Sequence, residues 1–316
     1  MRRRLTPVFL LSGFLFPPLA AAQTPQTQPS PSQPYTLRIP VDEISLTFHA
    51  SDARGTPLTH LTRADLALTD NGVPQNRIVM LQSFEDLPIR AGFLFDTSAS
   101  MMGQVAFNGS IIRTYASQLL RKGYDRAFVE QFDTDTFIRQ DWTDSDTAIA
   151  AGAAAVGNRP GRYDPLTAIF DSLYTTCRAQ WKTDPDSATG NFILLFTDGE
   201  DDASHAFLSE AVDMCQRTRT AIYAIVNGRP RQFSDGFRTL QDLTQQTGGR
   251  LFIRPHGDQI LQDLRIMEAE QRNQYRLVYK PSNFKADSSF HRIRLQCSTP
   301  GAHVTARSGY YAFARR

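Results

Sequence analysis

Two apolar runs leave this chain few ways to fold. Each is long enough for a strand, is apolar on both faces and stops abruptly at a polar tip. Ala91-Gly92-Phe93-Leu94-Phe95 leads into Asp96-Thr97-Ser98-Ala99-Ser100, and Phe192-Ile193-Leu194-Leu195-Phe196 leads into Thr197-Asp198-Gly199. A strand without a polar face belongs in a parallel sheet covered by helices on both sides. Ligands of such sheets gather just past the carboxyl ends of the strands. Asp96, Ser98 and Ser100 alternate, so an extended loop points all three the same way, toward one small cation. An oxygen-only shell suits hard ions: Mg²⁺, Mn²⁺ or Ca²⁺.

Between the two runs, Asp164-Pro165-Leu166-Thr167-Ala168-Ile169-Phe170-Asp171 reads as a loop entering a helix, with Thr167 at its mouth. Asp-x-Ser-x-Ser, a distant Thr before Ala-Ile-Phe-Asp, and Thr-Asp-Gly after a hydrophobic strand resemble the metal-ion-dependent adhesion site of von Willebrand factor type A domains. Every position of that motif is filled. The resemblance implies that Ser98, Ser100 and Thr167 are direct hydroxyl ligands and that Asp96 and Asp198 hold the ion directly or through water. The implied ion is Mg²⁺, with Mn²⁺ or Ca²⁺ as alternatives. Neutral hydroxyls add little charge, so the ion stays electrophilic enough to take an acidic side chain from a partner protein.

The rest of this stretch alternates as a doubly wound α/β fold requires. The pattern predicts helices over Val105–Arg121, Thr167–Trp181, Phe207–Arg217, Phe237–Thr247 and Asp258–Arg272. It predicts strands over Ala127–Phe132, Thr220–Val226 and Arg250–Ile253, with an antiparallel edge at Phe137–Trp142. Residues 88–273 are therefore expected to form a mostly parallel, von Willebrand factor A-like domain.

The flanks read differently. Glu43–Ala50, Leu66–Asp70 and Ile78–Phe84 alternate apolar and polar residues, as do Gln274–Tyr279, Phe290–Leu295 and His303–Arg307. Asn71-Gly72 supplies positive φ for a turn. Residues 35–87 make about fifty, at the edge of what folds alone. They are expected to combine with 274–316 into one small antiparallel β-sandwich into which the α/β domain is inserted. The stretches 51–75 and 308–312 resemble the VWFA-related family known mainly from acidobacteria, over nearly the whole mature chain. Since the first strand enters, and the last helix exits, at the end opposite Asp96, the sandwich is expected at the pole away from the metal.

Met1-Arg2-Arg3-Arg4, an apolar stretch to Leu19 and Ala20-Ala21-Ala22 have the layout of an export signal over residues 1–22. The stretch is short for a membrane span and is broken by Pro17-Pro18. Residues 23–34 contain only Gln, Thr, Pro and Ser, a composition that cannot bury a core and reads as a disordered linker. The whole chain carries 34 Lys and Arg against 32 Asp and Glu, and the signal takes three arginines with it. The resulting near-neutral protein points to no polyanionic partner, and scattered basic residues without an aromatic platform argue against nucleic acid.

Glu200-Asp201-Asp202 and the Asp133-Thr134-Asp135 turn read as solvated charge, and His205 as a surface residue at a helix start. Three cysteines in an exported chain permit one disulfide. Cys177 and Cys215, on the helices flanking the Asp198 strand, are one candidate pair, and three buried thiols are the alternative. No phosphate-binding glycine loop, zinc-spaced cluster or nucleophile elbow is present. The sequence thus reads as an exported, periplasmic or extracellular, non-enzymatic module for adhesion or assembly. A Mg²⁺-dependent hydrolase of phosphate or ester bonds and a structural subunit of an envelope assembly are the rivals.

Overall fold

The computed structural model describes residues 43–157, 166–181, 188–227, 234–254 and 257–313. All of these lie in one unit, Ile39–Arg316. The expected export signal, the linker and residues 35–42 lie outside the described residues. In chain order the elements begin with β1 (Ile44–Ser51), β2 (Leu66–Asp70), β3 (Val73–Pro74) and β4 (Ile78–Phe84). There follow β5 (Ile89–Asp96), α1 (Val105–Leu119), β6 (Arg126–Phe132), β7 (Thr136–Thr143), α2 (Asp146–Ala154) and α3 (Ile169–Gln180). Next come β8 (Gly190–Phe196), α4 (Leu208–Arg217), β9 (Thr220–Asn227), α5 (Asp235–Thr247), β10 (Leu251–Arg254) and α6 (Gly257–Arg272). The chain closes with β11 (Gln274–Tyr279), β12 (Phe290–Cys297), β13 (His303–Ala306) and β14 (Gly309–Tyr311).

The middle of the chain forms a six-stranded sheet in the order β10-β9-β8-β5-β6-β7, parallel except for the antiparallel edge β7. The two apolar runs are its centre. Along β5 and β8 the odd and even positions serve different cores. Phe93, Phe95 and Leu194 pack with Ile112 and Tyr115 of α1, Ile149 of α2 and Leu264 of α6. Leu94, Ile193 and Leu195 pack with Leu173 of α3, Val212 of α4 and Leu243 of α5 on the other face. Full burial of both faces is why these runs carry no polar residue until they reach the tip. Gly92 is part of this packing: a Cβ there would lie 2.5 Å from the Phe128 ring, which stacks edge-on with Trp142 and Trp181.

Helix α2, which the sequence pattern did not pick out, begins at a Ser145 cap whose side chain accepts from the Ala148 amide. Its run of alanines is apolar all round and lacks the one-sided stripe that marks a surface helix. Cys177 and Cys215 form a disulfide between α3 and α4, with a Cα separation of 5.1 Å, and Cys297 is a free thiol. Both bridged cysteines lie within the core under those two helices.

The flanks build two further four-stranded sheets, β13-β1-β11-β4 and β14-β12-β2-β3. Each draws strands from both ends of the chain, with β1 beside β11 and β2 beside β12, all antiparallel. Their inner faces share one core around Leu46, Phe48, Leu68, Leu277 and Ile293. Asn71 and Gly72 both have positive φ, as the β2-β3 turn requires. At the middle of this core Asp70 is buried and accepts from Tyr279 and Tyr310 at 2.8 and 2.9 Å, with His291 Nδ1 at 2.9 Å. The sequence pattern had placed Asp70 only at the end of the alternating stretch Leu66–Asp70, before the Asn71-Gly72 turn.

The base of the central sheet is organised by Asp125, fully buried just before β6. Its carboxylate accepts from the Ile89 and Arg121 amides, from the Arg121 side chain and from both terminal nitrogens of Arg272. The start of β5, the end of α1 and the end of α6 are thereby tied at one point, at the pole opposite Asp96. No helix among the described residues is long and apolar enough to cross a membrane.

Replacing Arg272 by Ala strands a buried charge and is expected to cost about 3–5 kcal/mol, measured by urea unfolding at neutral pH. Burial pushes the Asp125 carboxyl up, but hydrogen bonds from Arg272 and Arg121 outweigh it and bring the group from 3.8 to about 2. Its contribution is therefore present above 3.8 and lost as pH falls through 2. Arg272→Ala should show a shallower acid loss than wild type. The opposite sign applies to Glu130, buried under α3 with Thr176 Oγ1 2.6 Å away. Burial raises this carboxyl from 4.5 to about 7, so its neutral form is favoured and its stability contribution disappears as pH rises through 7. Glu130→Gln should match wild type in thermal melts at pH 4 and exceed it at pH 8.

Candidate metal centre

The polar tips of the two apolar strands lie side by side, because β5 and β8 pair in parallel register up to Phe95 and Phe196. Asp96, the last residue of β5, is 1 % exposed. One carboxylate oxygen accepts from the Ser98 amide at 2.8 Å, and the other accepts from the Thr197 hydroxyl at 2.6 Å. Ser98 Oγ and Ser100 Oγ are 3.4 Å apart, but Ser100 lies in a 3-10 turn and not in the extended loop expected, so the turn and not extended alternation brings the hydroxyls together. Ser98 then precedes a short 3-10 turn, Ala99–Gln104, that carries the chain into α1. Ser98 is buried and Ser100 exposed, which places the pair at the boundary with solvent.

Asp198 stands one residue beyond Thr197, half-buried, with its carboxylate accepting from the Glu200 amide at 3.3 Å. Gly199 follows at φ +89°, and a Cβ there would come within 2.4 Å of the Gly236 carbonyl at the start of α5. Only glycine permits both the left-handed turn and that approach. Thr167 is 5 % exposed and lies two residues before α3, whose helical pattern in the sequence had included it. Its amide donates to Asp202 at 2.7 Å, and its carbonyl accepts from the Asp202 and Ala203 amides. The loop bearing Thr167 is thus fastened to the loop bearing Asp198. Residues 158–165 before it, including Asp164 and Pro165, lie outside the described residues.

The remaining polar groups differ from the sequence reading in two places. Asp133 is buried, not solvated: its carboxylate accepts from the Thr134 and Asp135 amides, and its carbonyl accepts from Ala168. Part of a signal was present, since the strand Ala127–Phe132 stops at an aspartate like the two apolar runs, although it carries Glu130 and Gln131. Asp201 and Asp202 also do more than face water, because both accept from backbone amides of the Thr167–Phe170 stretch. Thr197 is the contact that residue reasoning missed. It sits inside the Thr-Asp-Gly stretch but acts on Asp96 across the strand pair. His205 is exposed, as expected, with Nδ1 3.1 Å from Asp171.

Burial pushes the Asp96 carboxyl up to about 6; hydrogen bonds from Ser98 and Thr197 work against this, and the neighbouring Asp198 charge adds to it. A carboxylate held out of water beside a second carboxylate, with hydroxyls as its neighbours, lacks a positive charge. The donor set is all oxygen, and such a set fits a hard divalent ion. Among the described residues no group of three His, Cys, Asp or Glu side chains forms a metal cluster, so a site here depends on the hydroxyls as well as on Asp96 and Asp198.

No family model and no curated protein matches this sequence. Solved structures that align with it include conserved hypothetical protein BatB from Bacteroides thetaiotaomicron, at 15 % identity and a TM-score of 0.45, over 57 % of this chain and 96 % of that one. An aerotolerance-related membrane protein from Bacteroides fragilis aligns at 14 % identity and 0.45, over 56 % and 96 %. Proximal thread matrix protein 1 from the mussel byssus, in a form with a zinc-occupied MIDAS motif, aligns at 15 % identity and 0.48, over 64 % of this chain. The present chain spans half the length of that mussel protein. In its strand order and its antiparallel edge the central domain is a doubly wound, mostly parallel α/β sheet.

If these residues hold an ion, Mg²⁺ or Mn²⁺ should bind wild type in calorimetry, and Asp96→Ala should show no binding heat. Thr197→Val keeps the size of the side chain but removes the hydroxyl that steadies Asp96, and it should weaken binding by roughly 10- to 100-fold.

Proposed function

We propose that this is an exported, non-enzymatic binding protein that holds one divalent cation, Mg²⁺ before Mn²⁺ or Ca²⁺, and uses it to capture an acidic side chain of a partner protein. The observation that carries the reading is the buried Asp96 carboxylate at a parallel strand tip, next to Asp198 and the Ser98–Ser100 hydroxyl pair. In this reading Ser98, Ser100 and Thr167 supply hydroxyl oxygens, while Asp96 and Asp198 supply the charge, directly or through water. The ion would provide a Lewis-acidic point to which a carboxylate can attach. The chain's own residues keep the two aspartates close despite their repulsion and shield Asp96 from water. Export rests on the composition of residues 1–22, and the absence of a placed base or nucleophile in the sequence supports a binding role rather than hydrolysis.

Capture of a partner from envelope extract should vanish in EDTA, return with Mg²⁺, and be weakened in Thr167→Ala while the melting temperature stays near that of wild type. An acidic-to-amide change at the contact residue of the captured partner should abolish it. Metal-dependent turnover of generic phosphate or ester substrates that is lost in Thr167→Ala, without metal-dependent capture, would replace this reading with the hydrolase. Capture that persists in EDTA would replace it with the structural subunit.

A further inference from the structure

The start of α3 has no cap of its own. Its N-cap residue, Ala168, has no side chain able to accept from the first-turn amides, which a helix otherwise leaves unpaired. Those amides are met from another loop. Phe170 N donates to Asp201 Oδ2 at 3.1 Å and to Ser204 Oγ at 3.0 Å, and Asp171 N donates to the same Ser204 oxygen at 3.1 Å. Asp201 in turn holds Ser204, accepting from its hydroxyl at 2.7 Å and its amide at 3.1 Å. Asp171 closes the exchange from the helix side: its carboxylate accepts from the His205 and Ala206 amides at 3.0 and 2.7 Å.

Asp202 extends this cap past the helix onto Thr167. Its carboxylate takes the Thr167 amide at 2.7 Å, while its own amide and that of Ala203 give to the Thr167 carbonyl at 3.1 and 3.0 Å. Both peptide groups of Thr167 are thereby fixed by one short stretch of the loop that begins at Asp198. Those peptide planes fix the direction of the Thr167 Cα–Cβ bond. Asp202 itself is exposed and contributes nothing to either core.

We infer that Asp202 is a positioning residue for the metal centre: it clasps Thr167 to the Asp198 loop and so fixes the spacing of two ligands that lie on separate loops, with Asp201 and Ser204 capping α3 behind it. This rests on the metal-binding reading of the site. The clasp works through an acceptor atom and not through charge, and this separates it from a general electrostatic effect. Asp202→Asn keeps an acceptor at the same place and removes the charge, whereas Asp202→Ala removes both.

The test measures Mg²⁺ and Mn²⁺ affinity by calorimetry, and amide hydrogen exchange at Thr167 in metal-free protein, for the full chain and the two variants. Asp202→Ala should bind at least about tenfold more weakly and exchange the Thr167 amide faster, with an unchanged melting temperature. Asp202→Asn should stay near wild type in both measurements. Equal weakening in both variants would show that charge and not the clasp matters, and an effect in neither would dismiss the role. A Thr167 amide that exchanges equally fast in all three proteins would overturn the clasp as well. If wild type binds no ion but exchange at Thr167 still follows the Ala and Asn pattern, the clasp stands as a structural device, while its role toward a metal fails together with the metal reading.

Discussion

What the rest of this molecule depends on is the double-sided burial of β5 and β8. With helices on both faces, the runs Ala91–Phe95 and Phe192–Phe196 carry no polar side chain, and polar chemistry is pushed to the two ends. One end receives Asp125 and its donors, and the other receives Asp96, Thr197 and Asp198. The two ends treat a buried carboxylate in opposite ways. Asp125 is given cations and amides until it lies well below its ordinary range, whereas burial lifts Asp96 above it, with the neighbouring carboxylate adding to the rise and its neutral donors only partly offsetting it. The first arrangement is complete within the protein. In the second, the hydrogen-bond partners of the carboxylate are neutral donors, the Ser98 amide and the Thr197 hydroxyl.

Much of this was legible in the residues. The apolar runs, the alternation in Asp-x-Ser-x-Ser and the helix after Thr167 are local patterns, and the structure places them in the sheet centre, at its tip and at the start of α3. The pairing of the flanks was also legible, because neither half carries enough alternating residues to cover its own apolar face. What stayed hidden depends on contacts distant in sequence. Asp125 lies between a helix and a strand like any loop residue, and only the return of Arg272 after almost 150 positions makes it a hub. Asp201 and Asp202 look like ordinary wet charge until an uncapped helix start is set against them. Glu130 is the sharpest case, an ionisable residue inside a strand where the sequence pattern allots a core position.

The antiparallel flanks are held by a different kind of polar centre. Asp70 joins Tyr279, Tyr310 and His291 inside the shared core, taking hydrogen bonds from strands of both sheets. Apolar residues alone tolerate sliding, and a buried acceptor with several partners does not. Register in sheets this small is set by such a point together with the Asn71-Gly72 turn.

The way β1 meets β11 has a mechanical meaning. The chain enters β1 at Ile44, which faces Tyr279, and β11 leaves the central domain at Gln274, beyond the Phe48–Tyr275 pair. A pull on the central domain and an opposing pull on the chain before Ile44 would draw these two strands past each other along their lengths. Their ladder would be loaded in shear, with its hydrogen bonds sharing the force, and not unzipped one at a time. Of the two ways to load a strand pair, this is the one that resists tension best, and it lies between the outer end of β1 and everything that β5 and α6 carry.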